Sequence, residues 1–392
     1  MSVAMEQNLD RYRLLQRVAG ALFWLPTWFL FLIDRFGLGD ALRLQAIYYL
    51  SVVAFEVPSG WFSDRVGRVT TLRLAALWWV LAFTIFVVFD GFGGIAAAQV
   101  LLAMGFAFTS GTDVTFHYDS LEALGRAAEF EARESRVRRD NLVATAAATV
   151  AGGALGLIDL QLPFAAALVA SIVQLGVTLR LVEPAGGPHT TTPGRDLLHV
   201  VGYLRVPMLA WVTAYVLGEV ITIHLTSELA APYLVGVLGE GLDEIDRAPL
   251  ANGFLAALIA LVAAMVVSRV ALLRRRLGVI ALLVAVAAIP AVTLTVMALA
   301  TSALVLPLIM LRSVQTAVVS VIVPATVAPR VDRRHRATFL SMTSLIGRLG
   351  YGAILLVIGT SGDIGETLEW AAAVAIAVLV AVAVTGRLVS DD

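Results

Sequence analysis

Asp113 and His117 stand four residues apart, so a helix through them sets a carboxylate and an imidazole on one face. An acid beside an imidazole can relay a proton, because histidine titrates near neutral pH and a neighbouring carboxylate raises its pKa. The same spacing also suits a structural ion pair that steadies one end of a helix, and both readings stay open. Glu56, Glu219, His224, Glu228, Arg312 and Arg348 are further ionisable groups lying in otherwise apolar sequence. Glu56 reads first as half of a structural pair with an arginine of a neighbouring helix or with a loop amide. Arg312 invites an anionic partner, either Glu219 or an anionic solute, and Arg348 is expected near the loop that holds Asp64. A metal site drawn from Asp113, His117 and His224 would need the three to converge, and neither a metal nor any other cofactor is expected.

Several chemistries are excluded by what the chain lacks. It has no cysteine, which removes disulfides, thiolate nucleophiles and cysteine-ligated metals. No His-Glu-x-x-His, no Gly-x-Ser-x-Gly and no phosphate-cradling glycine loop occurs, so neither an enzyme nor a nucleotide-driven pump is expected. The formal net charge of −1 gives no field for nucleic acid.

The elements that hold these groups must themselves be apolar. Hydrophobic residues make up 59% of the 392, and charged residues only 15%, against roughly 25% in soluble chains. A bilayer accommodates such a surface, and a helix crosses its hydrocarbon layer in about 20 residues. Runs of that length predict twelve spans, near 18–36, 44–62, 72–90, 94–117, 141–159, 163–182, 206–228, 249–269, 277–299, 303–328, 337–359 and 368–387. Leu277 to Leu311 carries no charge, and a tight turn near Ala300–Ser302 is placed within it.

The basic residues, all arginine, orient the spans. Arg65, Arg68 and Arg73, the run from Arg126 to Arg139, Arg269 with Arg274–Arg276, and Arg330, Arg333, Arg334 and Arg336 fall on one side. Arg35, Arg43 and Arg247 fall on the other, with acids such as Asp90, Glu240 and Glu366. The positive-inside rule then puts both termini in the cytoplasm. No cleavable leader is evident before the first apolar run. Pro184, Pro188 and Pro193, with several glycines, mark 183–205 as a cytoplasmic linker between six spans (1–182) and six more (206–392). Tyr118 to Arg139 reads as a charge-laced amphipathic helix along the inner face, with Glu129–Arg133 and Glu134–Arg138 at i,i+4.

After the second span comes Gly60-Trp61-Phe62-Ser63-Asp64-Arg65-Val66-Gly67-Arg68, a G-x-x-x-D-R-x-G-R loop. With the six-plus-six layout and central linker, it resembles the signature of the major facilitator superfamily. The resemblance covers the whole chain in architecture and about nine residues in motif. Ser110-Gly111-Thr112-Asp113 followed by Tyr118-Asp119-Ser120-Leu121 is similar to a bacterial subset of undefined substrate. The resemblance implies an all-α polytopic membrane protein, twelve transmembrane helices arranged as two pseudo-symmetric six-helix bundles. It also implies a gate in which Asp64 locks one conformation, with Gly60, Arg65, Gly67 and Arg68 completing the loop.

Spans one, four, seven and ten line the cavity in that fold, which puts Asp113, His117, Glu219, His224 and Arg312 on cavity helices. Phe23, Trp24, Trp28, Trp211 and Tyr215 read as packing and interface anchors, or as the wall of a cavity for an apolar solute. Three departures stand out. Gln99 occupies the place of an arginine usual in proton-coupled exporters, Gly152-Gly153 lack the proline that usually precedes them, and Ser268 to Arg274 copies the loop without its acid or glycines.

The expected function is a monomeric secondary carrier of the inner membrane. It moves a small organic solute by alternating access, coupled to protons through Glu56, Asp113 and His117, in the direction of efflux rather than uptake. The alternatives are a uniporter, a lipid or metal-ion carrier, or a transporter-derived membrane sensor.

Overall fold

The first long apolar run does not make one straight helix. In the computed structural model, which describes residues 2–184, 200–242, 245–267, 269–327, 329–332, 335–360 and 362–389, α1 (Ser2–Ala19) stops at Gly20 and helix resumes with α2 (Trp28–Val66). Pro26 lies in the gap and has no N–H for a helical ladder. Short turns take up the backbone instead, with Leu25 N–H on Leu22 O at 3.2 Å and Thr27 N–H on Trp24 O at 3.1 Å. The span expected at 18–36 is thus two helical pieces around residues 20–27. The loop expected after it shrinks to Gly37, which interrupts α2 at φ 74° and ψ 169°. Only glycine enters that region at no steric cost.

Four helices follow closely: α3 (Arg68–Val88), α4 (Phe92–Thr109), α5 (Thr112–Glu122) and α6 (Phe130–Gly156). The span expected at 94–117 is broken at Ser110 and Gly111, so Asp113 and His117 ride on the short α5. After α7 (Leu162–Thr178) the predicted linker lies mostly outside the described residues, at 185–199. Arg333 and Arg334 are outside them as well.

The chain continues with α8 (Pro207–Val237), α9 (Ala248–Val267), α10 (Val270–Leu277) and α11 (Val279–Leu299). The helix α8 runs past the expected end at 228 without losing its apolar character. A turn does occur at Ala300–Ser302, where the Tyr233 hydroxyl donates to Ala300 O at 2.7 Å and accepts the Ser302 N–H at 3.0 Å. Then come α12 (Leu306–Met310), α13 (Arg312–Val327), α14 (Arg336–Ile358) and α15 (Ile364–Gly386).

Among the described residues, seven segments are long and apolar enough to cross a membrane, and two shorter apolar helices lie at Leu162–Thr178 and Ala248–Ala263. The remaining expected spans fall short for local reasons. The first is broken at 20–27, the second is merged with it across Gly37, and the apolar part of the fifth shares α6 with a charged start. Large apolar side chains face outward at helical spacing, as Val169, Ile172 and Val173 do on α7 and Ile376, Val380 and Val384 on α15. Such stripes suit a hydrocarbon solvent.

The chain forms two compact units. The first comprises Met1–Phe31, Ile47–Thr191 and Pro249–Ala257, and the second Leu32–Ala46, Thr192–Ala248 and Leu258–Asp392. These units differ from the halves 1–182 and 206–392 by two exchanged segments. Each segment is seated by glycine. Gly253 lies so close to α6 that a Cβ would come within 2.7 Å of Thr149 O. Gly39 is seated in the second unit on Gly359, whose carbonyl a Cβ would approach to 2.8 Å.

Candidate functional site

The loop motif folds around one arginine. Arg68 donates to Asp64 Oδ1 at 2.6 Å and to Ser63 Oγ at 2.9 Å, and lies 3.7 Å from Asp119 Oδ2. Arg65 points elsewhere, its guanidinium 4.6 Å from the centre of the Trp61 ring. Gly67 takes φ 114° and ψ 153° as it leads into α3. A Cβ there would lie 2.9 Å from the carboxylate of Glu183, which accepts from the Arg68 N–H at 2.7 Å and the Val69 N–H at 2.8 Å. An anion is favoured at this place, since the first N–H groups of a helix have no partner within it. Sequence reasoning gave Glu183 only the start of the linker. No local pattern signals a cap supplied from so far along the chain. Gly60 has open space around it in this state.

Asp113 and His117 do not meet directly. Gln16 Nε2 donates to Asp113 Oδ2 at 2.6 Å and to the Tyr12 hydroxyl at 3.3 Å, and that hydroxyl donates to Glu134 Oε2 at 3.4 Å. Glu134 Oε2 lies 2.7 Å from His117 Nδ1. Asp113 and His117 are thereby joined through Gln16, Tyr12 and Glu134, across α1, α5 and α6. The Tyr12 ring stacks on the imidazole at 4.4 Å, and both side chains are buried. The i,i+4 spacing correctly set the pair on one helix but could not show that other helices supply the partners.

Charged groups beside this network are paired. Asp140 accepts from Arg13 and Arg17, each at 2.7 Å. These two, then Arg139, hold its carboxyl below the usual range. Arg126 and Arg133 together hold the Glu129 carboxyl at about 2.

The second unit encloses a different group. Tyr215, Glu219 and Thr222 of α8 line a pocket with Ala287 of α11, Gln315 of α13 and Val378 of α15. Tyr215 and Gln315 are each 1% exposed. The Tyr215 hydroxyl and both amide atoms of Gln315 have no hydrogen-bond partner among the described residues. Glu219 forms no ion pair among the described residues, so the partnership weighed for Arg312 is not with this carboxylate. His224 places Nδ1 2.6 Å from Val220 O and packs its ring 5.0 Å from that of Tyr351. Ser59 donates to the backbone carbonyls of Glu56 and Ala107, at 2.9 Å each, tying α2 to α4. In the first unit, Gln99 of α4 is buried with neither amide atom paired.

Tyr215 and Gln315 were not singled out as polar members of a site. Charge drew attention in the apolar runs, and uncharged polar side chains there carry the same message more quietly. A buried amide without a partner costs about 1–3 kcal/mol. No three acidic or histidine side chains converge as a metal site among the described residues.

No protein-family model and no curated protein matches the chain in sequence. Solved structures do match it in fold. A point mutant of the nucleoside transporter NupG superposes with a TM-score of 0.79 at 13% identity, over 97% of this chain and 99% of that one. The POT family transporter PepTSo gives 0.75 at 12% identity over 99% and 98%. A D-xylose–proton symporter gives 0.70 at 11% identity over 96% and 97%. The chain therefore has the fold of major facilitator transporters, in an all-α multi-pass membrane architecture.

Proposed function

We propose that this chain is a secondary active transporter that moves a small organic solute across the inner membrane by alternating access, coupled to protons and working in the direction of efflux. The observation that carries the reading is Glu219, an unpaired carboxyl held beside the unsatisfied Tyr215 hydroxyl and Gln315 amide. A charge near the middle of a span costs about 2.5–3.5 kcal/mol on insertion scales. Protonation removes that cost, so the two loading states of Glu219 differ in how readily the second unit can rearrange in a low-dielectric surrounding. Tyr215 and Gln315 offer donors to the ionised form, and Gln315 also offers an acceptor to the protonated one.

Asp113, His117 and Glu56 remain candidates for the proton's route. Asp113 and His117 belong to a hydrogen-bonded network at one end of the first unit, which suits delivery of protons better than coupling. Arg312 and His224, on the helices expected to line the cavity, are proposed as contacts for the solute. The segment from Gly60 to Arg68, the helical end of α2 and the turn at Gly67, with Asp64 at its centre, is proposed as the gate. The arginine distribution supports cytoplasmic termini, and a monomer containing both sequence halves, 1–182 and 206–392, is the working unit.

The test uses liposomes holding a pH-sensitive dye, with a nucleoside, a dipeptide and a pentose offered in turn. Solved transporters of similar fold are named for a nucleoside, a peptide and D-xylose. A coupled carrier acidifies or alkalinises the lumen as its solute moves. Glu219→Gln should exchange labelled solute yet move no protons. Solute flux without any pH change in the unmutated protein would sink the coupling.

A further inference from the structure

Two turns in the chain enter a span through the same backbone device. Gly67 precedes α3 at φ 114° and ψ 153°, and Gly278 precedes α11 at φ 77° and ψ 175°. Three residues before Gly67 stands Asp64, which holds Arg68. Three residues before Gly278 stands Arg275, flanked by Arg274 and Arg276. The second turn thus keeps the glycine, which sequence comparison of the two loops had missed, but replaces the internal acid with a third positive charge. All three arginines are exposed. None of the three guanidinium groups has an ion pair or hydrogen bond among the described residues.

Three guanidinium groups within one turn repel one another, so the run calls for anions from outside the protein. The surroundings say what kind. Arg274 and Arg275 line a cavity of about 400 Å³ with Val321 and Ile322 of α13. Val321 is 37% exposed, and on α10 itself Leu272 and Leu277 are 51% and 49% exposed. Positive groups beside an apolar wall match an anionic head joined to hydrocarbon. A free inorganic anion would leave the apolar wall in water, and a zwitterionic headgroup would bring its own cation up to the arginines.

We infer that this cleft binds an anionic phospholipid, its phosphodiester held by Arg274 and Arg275 and an acyl chain laid along Val321. Guanidinium groups suit the task because each can grip two phosphate oxygens at once. The site lies within the second unit and does not depend on which solute is carried, so its test reads binding and not flux.

Purified protein in neutral detergent would be titrated with phosphatidylglycerol, phosphatidylcholine or inorganic phosphate, and bound ligand counted by native mass spectrometry. Phosphatidylglycerol should bind and phosphatidylcholine should not. The double variant Arg274→Gln/Arg275→Gln should weaken phosphatidylglycerol binding about 25-fold, from about 1 kcal/mol for each basic group at an anionic lipid surface. Arg136→Gln/Arg180→Gln removes the same charge elsewhere and should leave the affinity within about twofold on that basis. Val321→Asp, at an exposed position, keeps the arginines and should weaken binding by repelling the lipid. Equal occupancy by inorganic phosphate would overturn the lipid assignment. So would equal loss in both double variants, or unchanged affinity in Arg274→Gln/Arg275→Gln and Val321→Asp.

Discussion

Gly67 and Gly60 belong to one motif yet do different work. At Gly67 the backbone lies where a side chain is strained, and a Cβ would press on Glu183 at 2.9 Å. Gly67→Ala should therefore destabilise by roughly 1–3 kcal/mol, seen as a lower Tm in detergent. Gly60→Ala, in helical backbone of α2 with nothing within 4 Å of the added carbon, should raise Tm slightly, since glycine within a helix is about 0.5–1 kcal/mol less favourable than alanine. Glu183→Ala should cost about 0.5–2 kcal/mol by uncapping α3. Made together with Gly67→Ala, it should cost less than the sum, because the contact between them is gone. Strict additivity would mean that the cap and the glycine are independent. The motif, its arginines and its acid were legible in the sequence. The cap was not, because Glu183 reaches the loop only through the packing of α7 beside α3.

At the scale of elements, the segment that leads from α5 into α6 is held by charge. Glu129 titrates near 2 in the folded chain against 4.5 when free. A lowered carboxyl pKa stabilises fully above the free value and loses that contribution as pH falls toward the folded one. Amide exchange in residues 123–130, corrected for intrinsic rates, should stay slow down to about pH 4.5 and quicken steadily toward about pH 2. In Glu129→Gln it should already be fast at neutral pH. Exposed pairs are screened, so high salt should narrow the difference.

A separate expectation concerns the buried network. Glu134→Ala removes the acceptor shared by Tyr12 and His117, and should speed exchange across α5 (Thr112–Glu122) more than across α4. Equal protection in both would show that the network does not hold α5. Helix identity along the chain was readable from apolar run length. The breaks at 20–27 and at Ser110–Gly111 were not, because both sit inside runs that are apolar on average over the length of a span. The Pro26 and Gly111 signals were outweighed by that average.

The whole molecule offers a direct test of orientation. With no native cysteine, single cysteines report side without background. Arg136→Cys should react with a membrane-impermeant maleimide only when the inner face is exposed, and Glu366→Cys only from the outside. The reverse pattern would invert the proposed topology. The expected pattern rests on arginine placement, since insertion machinery reads the same charges. The pocket around Glu219 was only half legible: the acid stood out, but Tyr215 and Gln315 come from different helices that only tertiary packing brings together.

The exchanged segments bear on how the protein is made. Chains enter the membrane from the N-terminal end, and domains generally fold as they emerge. Here the first unit includes Pro249–Ala257, and the second claims Leu32–Ala46. The seat of Gly253 against Thr149 cannot form until the ribosome has passed residue 253, and Gly39 waits longer still for Gly359. Until Pro249–Ala257 is made, the first unit is inserted but not finished. Its final packing waits on a segment from beyond the predicted linker, and a nascent chain stalled before residue 249 should remain a substrate for membrane quality control.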